Sequence, residues 1–111
     1  MATPSFTISL LAEPGGVLRV CLAGEFDMSV GDALTGTLVE AAHRPGISRV
    51  IVDLAHTRLI DSHAIAGLVS GYEAATRAGR GFTVVNGRGL VQKVLDITGL
   101  SEVLCAPPPG H

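Results

Sequence analysis

The sequence predicts a single α/β domain built on a small mixed β-sheet, and three features carry that reading. The chain opens with two alternating stretches split by a turn signal. It then holds one unbroken aliphatic run, and apolar residues at helical spacing fill the intervals. Its 111 residues suffice to bury one core without staples and are too few for a second fold.

"FTISLLA" and "VLRVCLAG" alternate, placing Phe6, Ile8 and Leu10, then Leu18, Val20 and Leu22, on one face each, and "EPGG" between them signals a hairpin. After "GEFD" the period changes: Val30, Leu34, Leu38 and Ala41 or Ala42 recur as on a helix, with Ser29 or Asp27 suited to cap its start and "RPG" to end it. "RVIVDL" does not alternate, which predicts a central strand covered on both faces, with parallel neighbours reached through helical crossovers. From Ser62, the stripe Ile65, Leu68, Val69, Tyr72 and Thr76 predicts a second helix, "FTVVN" a fourth strand, and Leu90, Val91, Val94, Leu95 and Thr98 a third helix. Gly99 stands where a left-handed helix terminator belongs, and "EVL" is a candidate for a short last strand. The expected order is therefore ββαβαβα with that optional strand, over a domain at 5–104, followed by a disordered tail at 105–111.

Composition narrows the function. A hydrophobic fraction of 47% with 16% charged residues excludes a disordered chain, and a net charge of -2 spread along the sequence argues against a nucleic-acid groove. The longest uncharged stretches, Met1 to Ala12 and Ser62 to Tyr72, fall short of the roughly 20 residues of a membrane helix, and no basic segment precedes an apolar one. No membrane insertion is expected, and the cytoplasm is the expected compartment. Cys21 and Cys105 have neither CxxC nor metal spacing, so reduced thiols and no metal or cofactor are expected.

The chemistry concentrates in "LIDSHAIAG", residues 59–67, where Asp61, Ser62 and His63 are the residue types of a hydrolytic triad. Neighbours at a helix start point about 100° apart, which makes Ser62 and His63 a poor nucleophile and base. No GxSxG elbow supplies Ser62 with a more distant base, whether His43, His56 or His111. No enzyme is expected. Asp61 or Ser62 suits the helix cap, and the strand end is a place where added negative charge would alter a partner surface without unfolding the domain.

"GEFDMSVGDAL", "VIVDLAHTRLIDSHAIAGLV" and "TVVNGRGLVQKVLDITGLSEVL" resemble, in order and spacing, the STAS domain of bacterial anti-sigma factor antagonists, also called anti-anti-sigma factors. The resemblance implies a compact α/β fold and partner switching, in which the unphosphorylated antagonist binds an anti-sigma factor of the serine-kinase type. Switching members carry Asp-Ser-(Ser/Thr)-Gly and take the phosphate on the second hydroxyl residue. That position is His63 here, and Ala64 replaces the glycine. Ser62 becomes a displaced candidate acceptor, rotated about 100° around the helix start.

On this reading the partner meets a loop at 55–64, with His56, Thr57, Asp61, Ser62 and His63, and the exposed side of the second helix. Asp27 is either a contact for a partner or a nucleotide phosphate region, as the resemblance implies, or a cap of the first helix. His63 is read as a structural residue or a contact ahead of a phosphoacceptor or a metal ligand, because neither it nor His56 has a carboxylate or cysteine at zinc spacing. Asp53 ends the central strand, where it either faces the same loop surface or begins the turn, and "NGRG" at 86–89 is a turn. The alternative function is a constitutive STAS scaffold subunit of a signalling assembly or a lipid-trafficking, transporter-associated complex.

Overall fold

The computed structural model of the chain describes residues 6–27 and 30–105. The elements follow as β1 (Phe6–Glu13), β2 (Val17–Phe26), α1 (Gly31–His43), β3 (Arg49–Ile60), α2 (Ser62–Arg77), β4 (Gly81–Val85), α3 (Gly89–Ile97) and α4 (Ser101–Leu104). The strands form one sheet in the order β1-β2-β3-β4, with an antiparallel hairpin at one edge and parallel pairing on both sides of β3. This is the mixed α/β domain that the alternating hairpin and the aliphatic run predict. The hairpin turn is fixed at its tip and to β3: Gly16 has φ +77, and its carbonyl accepts from the Ser48 amide at 2.7 Å.

One sheet face carries the core. Leu18, Val20 and Leu22 of β2 and Val50, Val52 and Leu54 of β3 are buried, while the alternate residues Arg19, Cys21, Ile51 and Asp53 are half-buried. The expectation of a strand covered on both faces is thus corrected. The aliphatic run reports two parallel neighbours and β-branched fit to the pleat, and one of its faces stays partly open. Phe6 and Ile8 pack against the core as their alternation suggests, whereas Leu10 is exposed.

β3 also runs further than expected. Its ladder with β2 shifts register between Cys21 and Ala23 and again between Gly24 and Glu25, then continues to Phe26 opposite Ile60. Beyond Asp53 its buried residues are Leu54, Thr57 and Ile60, a spacing of three that hides the strand period from the sequence. Residues 55–60 are therefore strand and not loop.

In α1 the predicted positions Leu34, Leu38, Ala41 and Ala42 are buried. The N-cap position is Val30, without a side-chain cap; Asp27 contributes its backbone carbonyl to the Val30 amide at 3.1 Å, and Ser29 lies outside the described residues. α2 buries Ala64, Ile65, Gly67, Leu68, Gly71, Ala74 and Ala75, leaving Tyr72 half-buried and Thr76 exposed, so its core face turns further toward small residues than the large apolar stripe implies. α3 buries Val91 and Leu95 and ends before Gly99 at φ +77, as its position predicts.

The expected last strand is corrected: Ser101–Leu104 forms a helical turn that carries Leu104 into the core, and strand character shrinks to a single parallel bridge between Cys105 and Val84. Residues 106–111 of the predicted tail lie outside the described residues. Among the described residues no helix is long and apolar enough to cross a membrane.

Candidate functional site

β2 and β3 run parallel, so their carboxyl ends lie side by side and α1 and α2 begin at the same end of the sheet. The Asp61 amide donates to the Phe26 carbonyl at 3.0 Å, joining the two strand ends. Asp61 then caps α2: its backbone is extended, and its Oδ1 accepts from the Ala64 amide at 3.0 Å. That satisfies one of the orphan N–H groups of the first turn and puts a negative charge at the positive end of the helix dipole. Ser62 and His63 follow as exposed residues of that turn.

His63 faces α1. Its Nε2 donates to Asp32 Oδ1 at 3.0 Å, with the histidine side chain 43% exposed and the aspartate 97% exposed. The imidazole lies over Gly31, where a β-carbon would overlap Cδ2 and come within 2.8 Å of Cγ and 2.9 Å of Nε2. His63 is therefore a contact between two helix starts, a role that neither its own motif nor its sequence neighbours reveal.

The six residues expected to meet a partner separate into two groups. Asp27, Asp61, Ser62 and His63 gather at the carboxyl end of the parallel strands. His56 and Thr57 sit within β3, with His56 four residues, or roughly 13 Å, short of the strand end at Ile60. His56 is exposed opposite Ala23, whereas Thr57 is buried and its hydroxyl donates to the Leu22 carbonyl at 2.8 Å. Among the described residues no group of three His, Cys, Asp or Glu side chains could hold a metal ion.

Asp53 lies inside β3 and not at its end. Its carboxylate accepts from Arg19 at 3.0 Å, from the Ala55 amide at 2.9 Å and from the Asn86 side chain at 3.1 Å, and Arg19 also reaches Glu13 at 2.9 Å. Burial pushes the Asp53 carboxyl up, but the hydrogen bonds from Ala55, Asn86 and Arg19 and the guanidinium charge outweigh it and hold the group below its ordinary value. This network braces β1, β2, β3 and the turn after β4 on the half-open sheet face, away from the helix starts. Gly31 and Asp32 lie outside the residues that the sequence marks as functional, and "GD" at the first turn of α1 is the signal they leave there.

Fold and site together define a small α/β module that presents a surface at the amino ends of two helices. The chain belongs to the STAS domain family: residues 9–105 match the family model described as "Mlab, STAS domain". Its fold is similar to that of the Bacillus anti-sigma factor antagonist SpoIIAA in its unphosphorylated form, with a TM-score of 0.78 and 14% identity over 93% of this chain and 90% of that one. It is similar to an anti-sigma factor antagonist from Mycobacterium paratuberculosis, with a TM-score of 0.77 and 22% identity over 97% and 91% of the two chains. A sulfate transporter family protein from Wolinella succinogenes shares the fold at a TM-score of 0.71 and 21% identity, over 85% of this chain and 75% of that one.

Proposed function

We propose that the protein is a non-enzymatic, cytoplasmic anti-sigma factor antagonist that binds a serine-kinase-type anti-sigma factor without phosphorylation at the usual acceptor position. The observation that carries this reading is the strand-end surface, where Asp61 and Ser62 keep the family pattern while His63 stands at the acceptor position and is turned toward Asp32. A kinase aligns its γ-phosphate with one hydroxyl, and Ser62 presents its own from the neighbouring position, rotated about 100°. Exposed Asp27 and Asp32 give the surface an acidic rim, which complements a basic partner face.

The test incubates the protein with an anti-sigma kinase that binds it, together with ATP, and reads intact mass. The wild type stays unmodified, and His63→Ser gains one phosphate. A phosphate on the wild type that Ser62→Ala abolishes would show that the displaced hydroxyl is the acceptor and overturn the proposal that binding is not switched by phosphate.

A second reading is a constitutive scaffold subunit of a signalling or transporter-associated assembly. The shared fold of the sulfate transporter family protein supports it. Identification of the stoichiometric partner by native mass spectrometry separates the two: a kinase-fold regulator supports the first, and a transporter subunit supports the second.

A further inference from the structure

We infer that His63, Gly31 and Asp32 form a clasp that joins the amino ends of α1 and α2, so that the surface at position 63 is set by internal packing and not by a modification. The clasp rests on the reading of this end as the partner surface and names how that surface is controlled. Gly31 has no left-handed backbone, so its φ does not demand glycine; a β-carbon there would instead force the imidazole out of the space it occupies and open the contact. The ring atoms nearest to a β-carbon at Gly31 are Cδ2, Cγ and Nε2.

The hydrogen bond to Asp32 is a minor part of the clasp, because a carboxylate this exposed is well solvated by water. Shape is the larger part. The rest of the α1–α2 seam closes in the same way, with a β-carbon at Gly67 falling 2.7 Å from Thr35 Oγ1 and one at Gly71 falling 2.8 Å from Leu38 Cβ. Thr35 in turn donates to the Gly31 carbonyl at 2.9 Å, so the clasp is the outer end of a continuous helix contact. A change at position 63 therefore moves the start of α1 as well as α2.

A double-mutant cycle on thermal midpoints tests the clasp. Gly31→Ala should lower the midpoint of the wild type by about 4–8 °C, the shift expected for an overpacked contact in a domain of this size. In a His63→Ala background the same substitution should leave the midpoint unchanged or raise it, because alanine is the better helix former once the ring is gone. Equal losses in both backgrounds would overturn the clasp.

Should Gly31→Ala fail to fold, the Gly31 Hα resonances of the wild type supply a second readout. Ring-current displacement that disappears in His63→Ala supports the clasp, and unchanged resonances overturn it. Neither measurement involves a partner, so the clasp can fail while the functional assignment stands, and the reverse.

Discussion

Asp61 and Ser62 are both cap formers, and the backbone decides between them: the extended conformation falls at Asp61, which places its carboxylate on the Ala64 amide. Asp61→Ala should cost about 1 kcal/mol in urea unfolding, whereas Ser62→Ala should stay within about 0.5 kcal/mol. A reversed order would move the cap to Ser62. His63→Glu places a second carboxylate beside Asp32 and charge on the partner surface. It should weaken partner binding by about 1–3 kcal/mol in calorimetry while costing less than about 1 kcal/mol of stability, since both groups are exposed. The helix start and its cap were legible because the signal is local. Gly31 lies thirty-two positions from His63, and no periodicity links them.

Among the elements, α1 and α2 show what a glycine does in a helix when space decides. Gly36 in α1 has nothing within 4 Å of a β-carbon, so Gly36→Ala should stabilise the fold by about 0.4–1 kcal/mol. A β-carbon at Gly71 in α2 would fall 2.8 Å from Leu38 Cβ and 3.0 Å from the Phe82 ring. There the gain of about 1 kcal/mol in helix propensity is outweighed by an overpacking cost of about 1–3 kcal/mol, and Gly71→Ala should be destabilising in the same urea measurement. A stabilising Gly71→Ala would mean that the seam can widen.

The sequence showed that α2 is a helix, through Ile65 and Leu68, but not that its far half turns Gly71, Ala74 and Ala75 inward, because small residues leave little trace in an apolar pattern. β3 hides its length for a related reason. Its inward residues beyond Leu54 follow the bulged register, and Thr57 is polar yet buried.

At the scale of the molecule, the Arg19–Asp53 network makes an acid-sensitive brace. The folded carboxyl sits below the ordinary 3.8, so the unfolded chain takes up its proton first as acid is added. The stabilisation is present above that ordinary value and is lost as the pH falls through the lower folded value. Asp53→Asn should therefore flatten the acid limb of the stability curve below about pH 5, and an unchanged limb would show that the brace contributes nothing. The mixed sheet and its hairpin edge were legible from the order of the elements, whereas this brace joins side chains from three strands and a turn that only the folded register aligns.

The same register sets an order of events. β1 and β2 can pair as soon as both have left the ribosome, since a short turn joins them, but β2 has no parallel neighbour until α1 and β3 have been synthesised. During that interval the nascent chain carries the apolar faces of β2 and α1 uncovered; β3 then gives β2 its parallel neighbour, but the shared core stays open to association with other chains until α2, β4 and α3 have followed.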